Sequence, residues 1–87
     1  MGSYEVRMTR TAEKELIALP KSIVPVLWRK IRALASEPKP KQSRKLKGVE
    51  EAYRLRIRDY RVIYTVDDKE KLVIVMAVRH RKEVYRG

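Results

Sequence analysis

Residues 52–65 read AYRLRIRDYRVIYT, and the alternation of apolar and basic side chains predicts two antiparallel strands. We place a two-residue loop at Asp59-Tyr60, which sets position 58 opposite 61, 57 opposite 62 and 55 opposite 64. This register gives the hairpin one apolar face and one basic face. The apolar face holds Tyr53, Leu55, Ile57, Val62 and Tyr64, and the basic face holds Arg54, Arg56, Arg58 and Arg61.

The basic face of this hairpin is the first candidate for function. Its four guanidinium groups repel one another unless an anion compensates their charge. Every cation on it is arginine rather than lysine, and the planar guanidinium fork suits phosphate. We interpret the face as a phosphate-binding surface. The alternative is a solvated face of a basic protein.

The composition of the chain points to a polyanionic partner. Its 87 residues predict a single domain spanning 1–87, and 22 Lys and Arg against 11 Asp and Glu give a net charge of +11. Nucleic acid, an acidic protein or a membrane surface would each suit that charge. We expect no membrane partner, because no apolar run approaches the roughly 20 residues of a membrane span.

The absence of cysteine and of a signal-peptide pattern bears on location and cofactors. Nothing in the sequence indicates export or a disulfide framework, so we expect a cytoplasmic protein. With no cysteine and a single histidine, the chain offers no set of ligands typical of zinc. We therefore expect neither a metal ion nor a small-molecule cofactor.

The remaining stretches predict two helices before the hairpin and one apolar strand after it. A short strand at 4–8 precedes a helix ending near Leu19, and Ser22 begins a second helix. We assign the apolar stripe of the second helix to the core, although Trp28 would also suit a base-stacking platform. That stripe consists of Val24, Leu27, Trp28, Ile31, Leu34 and Ala35.

Residues 44–48, RKLKG, read as a short strand, and residues 72–78, LVIVMAV, predict a central strand buried on both faces. The elements together predict an α+β fold. Two N-terminal helices pack on one face of a four- or five-stranded, mainly antiparallel sheet.

The face occupied by Arg79 depends on the length of the turn near residues 67–70. An even number of loop residues places Arg79 on the apolar face, and an odd number places it beside Arg61 on the basic face. An arginine beneath the helices would need a buried partner that the sequence does not offer. We therefore predict an odd loop, with Arg79 on the basic face.

The side chains available for chemistry are arginine, lysine, tyrosine and one histidine around the basic face. The chain has no nucleotide-binding glycine loop, no serine nucleophile motif and no thiolate. This set suits RNA cleavage by the RNA's own 2′-hydroxyl, which attacks the adjacent phosphate. Such a protein aligns the attack, stabilises the developing charge and assists proton transfer, and this requires no metal.

Four stretches carry a resemblance to a known family, namely RKLKG at 44–48, YRLRIR at 53–58, YRVIY at 60–64 and RHRKEVY at 79–85. Together they resemble the RelE/ParE toxin superfamily of type II toxin–antitoxin systems, on the RelE side. The resemblance covers nearly the whole chain. It implies helices packed on a mostly antiparallel sheet, a toxin that cuts messenger RNA in the ribosomal A site, and a cognate RelB-like antitoxin that neutralises the toxin.

The resemblance also implies roles for individual residues. Arg61 corresponds to the arginine that stabilises the phosphate, and Arg79 to the arginine near the leaving 5′ oxygen. Tyr85 corresponds to the tyrosine that stacks on a base and orients the 2′-hydroxyl. Arg54 and Arg56 stand where some relatives have lysines, one of them discussed as a general base. Arginine in effect cannot lose its proton, so the base lies elsewhere or catalysis rests on positioning and charge.

His80 is a candidate acid or base because histidine is the side chain best suited to proton transfer near neutral pH. Strict alternation turns it away from the basic face if Arg79 occupies that face. Lys45, Lys47 and Lys82 are further candidates for the base. We assign the remaining RNA or phosphate contacts to Arg44, Lys45, Lys47, Arg54, Arg56, Arg58, Arg81 and Lys82.

Two other functions stay open at this point. One is a ParE-like inhibitor of DNA gyrase that shares the fold and cuts no RNA. The other is a basic RNA-binding domain without catalytic activity.

Overall fold

The computed structural model of the protein describes residues 3–46, 48 and 51–80. Two helices and five strands follow one another along these residues. Their bounds are β1 (Glu5–Met8), α1 (Arg10–Ile17), α2 (Val24–Ala33), β2 (Ser43–Lys45), β3 (Ala52–Ile57), β4 (Tyr60–Asp67) and β5 (Leu72–His80). The predicted α+β class, with both helices before the hairpin, is confirmed.

The five strands form one mixed sheet in the order β1-β5-β4-β3-β2. β1 runs parallel to β5, and every other neighbouring pair is antiparallel. β5 lies between β1 and β4 in the sheet, as predicted for a central strand. The prediction that β5 is buried on both faces is wrong, because Met76 is 43% exposed and Leu72 and Ile74 are only partly buried. Neither helix is long and apolar enough to cross a membrane.

The core lies between the two helices and one face of the sheet. Thr9 caps α1, its hydroxyl accepting a hydrogen bond from the backbone N–H of Ala12 at 3.1 Å. The helices and strands then bring together fully buried apolar side chains. The most buried members of this core are Ala12, Leu27, Ile31, Leu34, Val62, Tyr64, Val66, Val73, Val75 and Val78.

The assignment of Trp28 to the core is wrong, because this side chain is 43% exposed. Leu27, Ile31 and Leu34 follow the four-then-three spacing of a single helical stripe, and they fill the contact with the sheet. Trp28 is one residue beyond Leu27 and is rotated by about 100° from it around the axis. The sheet therefore buries only the stripe of Leu27, Ile31 and Leu34 and leaves Trp28 at its border.

A polar cluster ties the linker after α2 to the turn between β4 and β5. Asp68 accepts hydrogen bonds from the Tyr4 hydroxyl at 2.6 Å and from the Lys39 ammonium at 2.9 Å. The Tyr4 bond, followed by the Lys39 bond, lowers the pKa of Asp68. Next to it, the Tyr64 hydroxyl donates to the carbonyl of Pro38 at 2.8 Å. These bonds fix the linker that leads into β2.

The lowered pKa of Asp68 predicts a pH-dependent contribution to stability. Its carboxylate stabilises the fold above the unfolded pKa of about 3.9, and this contribution is lost as the pH falls through the lower folded pKa. We expect Asp68→Asn to melt at a lower temperature than wild type at neutral pH. The difference should shrink as both proteins are acidified, as followed by circular dichroism. Glu70→Gln removes an exposed carboxylate from the same turn as a control. A difference in melting temperature that is equal at every pH would contradict the assignment.

Candidate nucleic-acid interface

The β3–β4 hairpin has the predicted faces but a different loop. Ile57 pairs with Tyr60 and Leu55 with Val62, so the two loop residues are Arg58 and Asp59. The loop lies one residue earlier than predicted, because Tyr60 belongs to the sheet. Tyr60 pairs with His80 of β5, and the two rings meet edge to face with centroids 5.2 Å apart. Moving a two-residue loop by one position shifts the pairing by two residues, so the side chains that stay in the strands keep their faces.

Arg58 is the one member of the predicted basic face that leaves the sheet. It takes a φ of +55° in the loop, where side chains other than glycine are unfavourable. It lines a groove of about 390 Å³ that also contains Arg56 of β3 and Arg29 and Lys30 of α2. The predicted place of Arg58 opposite Arg61 is wrong, and its contact with RNA stays a prediction.

Arg79 lies on the basic face, although not for the predicted reason. Asp67 pairs with Leu72, so the turn holds the four residues 68–71, an even number rather than the predicted odd one. Tyr64 then pairs with Val75 but Ile63 with Ala77, which leaves Met76 as the extra residue of a β-bulge. The bulge reverses the alternation.

As a result Arg79 pairs directly with Arg61, and the prediction that the two arginines share a face is confirmed. Arg61 also pairs with Arg56 of β3. Three arginines from adjacent strands thus form a row across the sheet, spanning about 10 Å at the usual strand spacing. We call Arg56, Arg61 and Arg79 the arginine row.

A basic groove of about 300 Å³ adjoins the row on the side of β2 and β3. Arg44 contributes to it because it pairs with Arg54. The described side chains that line the groove carry five positive charges and no carboxylate. They are Lys41, Gln42, Arg44, Arg54, Arg56 and Arg61. Without a counter-charge in the lining, the groove favours an anionic ligand.

Arg61 lies at the junction of the basic groove and the arginine row, and it is only 4% exposed. One of its Nη atoms donates to the carbonyl of Tyr60 at 3.3 Å. Burial restricts its rotamers, so this guanidinium is held in place before a ligand arrives. A cation that is largely removed from water is costly unless it is paired, and an incoming phosphate would provide a partner.

The remaining predicted site residues either lie away from the basic groove or fall outside the described residues. Lys45 pairs with Tyr53, a residue of the helix-facing side, and so lies outside the basic groove. His80 turns away from the basic face, as the alternation predicts for a strand with Arg79 on that face. Lys47, Arg81, Lys82 and Tyr85 lie outside the described residues.

Two groove residues were not predicted from the sequence. Lys41 and Gln42 precede β2 in a segment without hydrophobic periodicity, so their place depends on the pairing of β2 with β3. The basic run at 41–47 was the available signal, but it does not show which side chains share a face with Arg54.

The sequence matches a family model described as the ParE toxin of a type II toxin–antitoxin system, parDE, over residues 6–85. The chain belongs to the RelE/ParE toxin superfamily. It is 36% identical to Toxin RelG of Mycobacterium tuberculosis over 88 residues, covering 95% of this chain and 97% of that protein.

Solved structures of the superfamily share this fold. The crystal structure of the archaeal RelE–RelB complex from Pyrococcus horikoshii contains a chain with a TM-score of 0.81 and 32% identity, over 91% of this toxin and 96% of that chain. The isolated Escherichia coli RelE toxin gives a TM-score of 0.79 and 28% identity, over 97% of this toxin and 93% of that chain. The resemblance stated from the four sequence stretches is confirmed.

The unfavourable backbone of Arg58 yields a prediction about stability. Glycine adopts a φ of +55° without the steric cost of a Cβ, while its greater freedom in the unfolded chain offsets part of that gain. We expect Arg58→Gly to raise the free energy of unfolding by about 0.5–1 kcal/mol in urea denaturation. Arg56→Gly is the matched control, because the same change within β3 should destabilise the protein. An Arg58→Gly protein less stable than wild type would contradict this account of the loop.

Proposed function

We propose that this RelE/ParE toxin is a ribosome-dependent endoribonuclease that cleaves messenger RNA in the A site. The observation that carries the proposal is the arginine row, in which Arg56, Arg61 and Arg79 occupy neighbouring strands on one face. The adjoining basic groove provides a path for the phosphate backbone on either side of the cleaved bond. The proposed place of action is the cytoplasm, where messenger RNA is translated.

The reaction we propose is attack of a 2′-hydroxyl oxygen on the adjacent phosphorus, with departure of the 5′ oxygen of the next nucleotide. The products are a 2′,3′-cyclic phosphate, or the 3′-phosphate formed from it by water, and a free 5′-hydroxyl. Negative charge develops on the phosphate oxygens and on the leaving oxygen. Arginines fixed beside those atoms lower the barrier, because they need not reorganise as the charge develops.

Each arginine of the row has a distinct task in this mechanism. Arg61, rigid and buried, binds a non-bridging oxygen of the scissile phosphate. Arg79 stabilises the leaving oxygen from the neighbouring strand, and Arg56 binds the phosphate from the other side. Arginine is a poor proton carrier at neutral pH, so the three act through charge and orientation. Proton transfer then falls to the ribosome, the RNA, or a residue outside the described ranges.

Tyr85 is proposed to stack on a base and to orient the attacking hydroxyl. The support for this role is the resemblance of the RHRKEVY stretch, because Tyr85 lies outside the described residues. Stacking on an aromatic side chain is the common way in which proteins read unpaired RNA bases. Arg81, Lys82 and Lys47 are proposed as further phosphate contacts on the same grounds.

The proposed protein partner is a RelB-like antitoxin. Related toxins are known in complexes with RelB from Pyrococcus horikoshii and Escherichia coli. The charge of +11 and the basic groove favour a partner that contributes acidic side chains. The exposed Ile17 and Trp28 border an apolar groove with Leu16, which suits the apolar side of an amphipathic helix.

A gyrase inhibitor of ParE type is the second candidate, and the description of the matching family model favours it. The fold serves both functions, so the decision rests on the basic face. A gyrase inhibitor has no need of three arginines in register across adjacent strands. The arginine row therefore favours RNA cleavage, as do the relatives named as RelE-like toxins.

The direct test is the rate at which the protein cleaves messenger RNA on programmed ribosomes, mapped by primer extension. We expect Arg61→Ala to lower the single-turnover rate about 100- to 1,000-fold, the usual loss when one charge-stabilising donor is removed. Arg61→Lys keeps the charge in the buried position but loses the planar fork, and should lie between Arg61→Ala and wild type. Arg32→Ala removes the same charge from the exposed side of α2 and should cleave at the wild-type rate.

The outcomes separate the three functions. If the folded Arg61→Ala variant cleaves messenger RNA within codons at the wild-type rate, the assignment of the site is wrong. Growth arrest that persists in the Arg61→Ala, Arg79→Ala double variant without RNA cleavage would favour gyrase inhibition. A wild-type protein that binds RNA but neither arrests growth nor cleaves would be an RNA-binding domain.

A further inference from the structure

Where β1 stops, the capping residue Thr9 and Glu15 of α1 form hydrogen bonds with the free edge of β5. The last pair between the two parallel strands is Met8 with Val75, and β5 runs on to His80 without that neighbour. The backbone N–H of Thr9 donates to the carbonyl of Val75 at 3.0 Å, and its hydroxyl donates to the carbonyl of Met76 at 3.2 Å. Polar groups on this edge of β5 are therefore satisfied from α1 rather than from a strand.

Glu15 is the next group along this edge, and it makes one hydrogen bond and one ion pair. One carboxylate oxygen accepts the backbone N–H of Val78 at 2.9 Å. The other carboxylate oxygen contacts Nε of Arg79 at 2.7 Å. The side chain of Glu15 is 26% exposed and that of Arg79 is 44% exposed. The carboxylate is thus anchored at one oxygen to the strand that carries Arg79.

The contact through Nε matters because of the shape of the guanidinium group. Arginine has five N–H donors, and the closest contact of the Glu15 carboxylate is with the Nε atom rather than with an Nη atom. Within the described part of the chain, Arg79 forms no other ion pair, so its two Nη atoms are open there to a further acceptor. An arginine near the end of a strand otherwise samples many rotamers, and a contact at Nε removes much of that freedom.

We propose that Glu15 is a positioning residue that holds the guanidinium of Arg79 in the orientation needed at the leaving oxygen. The inference rests on the proposed function. Glu15 does not touch the RNA in this account; it acts through Arg79. Its negative charge opposes RNA binding, so its contribution is to the rate of cleavage and not to affinity.

The Glu15→Gln variant separates this role from a structural one. The amide oxygen of glutamine still accepts the N–H of Val78, so the edge of β5 stays satisfied. The amide nitrogen is a donor and cannot accept from Nε of Arg79. The substitution therefore removes the ion pair with Arg79 while it keeps the hydrogen bond with the backbone of Val78. Glu13→Gln is the matched control, since it removes the same charge from an exposed position on the same helix.

The experiment measures single-turnover cleavage on programmed ribosomes at increasing toxin concentration. We expect Glu15→Gln to lower the maximal rate about 10- to 100-fold, as for a misplaced catalytic group. The toxin concentration at half-maximal rate should stay the same or fall, because a negative charge has been removed. Glu13→Gln should match wild type in the maximal rate. A raised half-maximal concentration with an unchanged maximal rate would overturn the proposal.

A double-mutant cycle with Arg79 gives the sharper test. If Glu15 acts only through Arg79, then Glu15→Gln has no further effect in an Arg79→Ala protein. Equal losses in both backgrounds would overturn the positioning role while leaving Arg79 in place. Cleavage that Arg79→Ala leaves unchanged would instead count against the proposed site.

Nuclear magnetic resonance of the free toxin tests the positioning without any cleavage. The Nε–H signal of Arg79 should be protected from exchange with water in wild type and should lose that protection in Glu15→Gln. The signal of Arg56 should be the same in both proteins. A wild-type Arg79 signal that exchanges as fast as that of exposed arginines would overturn the proposal, whether or not the protein cleaves RNA.

Discussion

Consecutive side chains of a strand lie on opposite faces of the sheet, and this alternation places Arg54, Arg56 and Arg61 together on the basic face. Val62, Tyr64 and Val75 are fully buried on the face that packs against the helices. A slip of one residue in β3 or β4 would carry Arg54, Arg56 or Arg61 into that apolar layer, which is prohibitive for an unpaired charge. Packing on one face therefore fixes the arrangement of arginines on the other. The phosphate-binding geometry follows from the hydrophobic core.

The magnitudes explain why like charges can be held together here. A buried aliphatic side chain contributes about 1.5–3 kcal/mol through its removal from water, and many such residues lie beneath the helices. Solvent-exposed ion pairs contribute roughly 0–1 kcal/mol each, and charges separated by more than about 10 Å are screened by salt. The free energy gained by burying the core therefore exceeds the cost of the repulsion between the clustered cations on the opposite face. The carboxylates of Glu5, Glu15 and Asp68, each of which forms an ion pair, lie outside the basic groove.

Local patterns in the sequence predicted much of this architecture. The two-residue alternation assigned Tyr53, Leu55, Ile57, Val62 and Tyr64 to the apolar face correctly, and Arg54, Arg56 and Arg61 to the basic face, even with the loop misplaced. The alternation placed Arg58 wrongly in a strand. Arg58 lies in the loop because Tyr60 belongs to the sheet and packs against His80, which is distant in the sequence. The assignment of Trp28 to the core was wrong because the width of the buried stripe depends on how much of the helix the sheet covers. The tertiary contacts decided both cases.

The candidate site shows the same division between local and distant information. Arg61 and its partner Arg79 were predicted from strand alternation and from the resemblance, and the structure pairs them directly. Glu15 was not predicted, because its contacts with Val78 and Arg79 join positions more than 60 residues apart. Lys41 and Gln42 likewise gain their place only through the pairing of β2. Single-sequence periodicity contains no information of this kind.

The bulge at Met76 has a consequence for how related sequences are compared. A relative with one residue fewer between Tyr64 and Arg79 keeps the arginine row if its β5 simply lacks the bulge. In an alignment, the gap then belongs at residue 76, inside the strand, and not in the adjacent turn at 68–71, where insertions and deletions are usually placed. A gap in the turn would assign residues 72–75 to the wrong side of the sheet, exchanging interior for surface positions in half a strand.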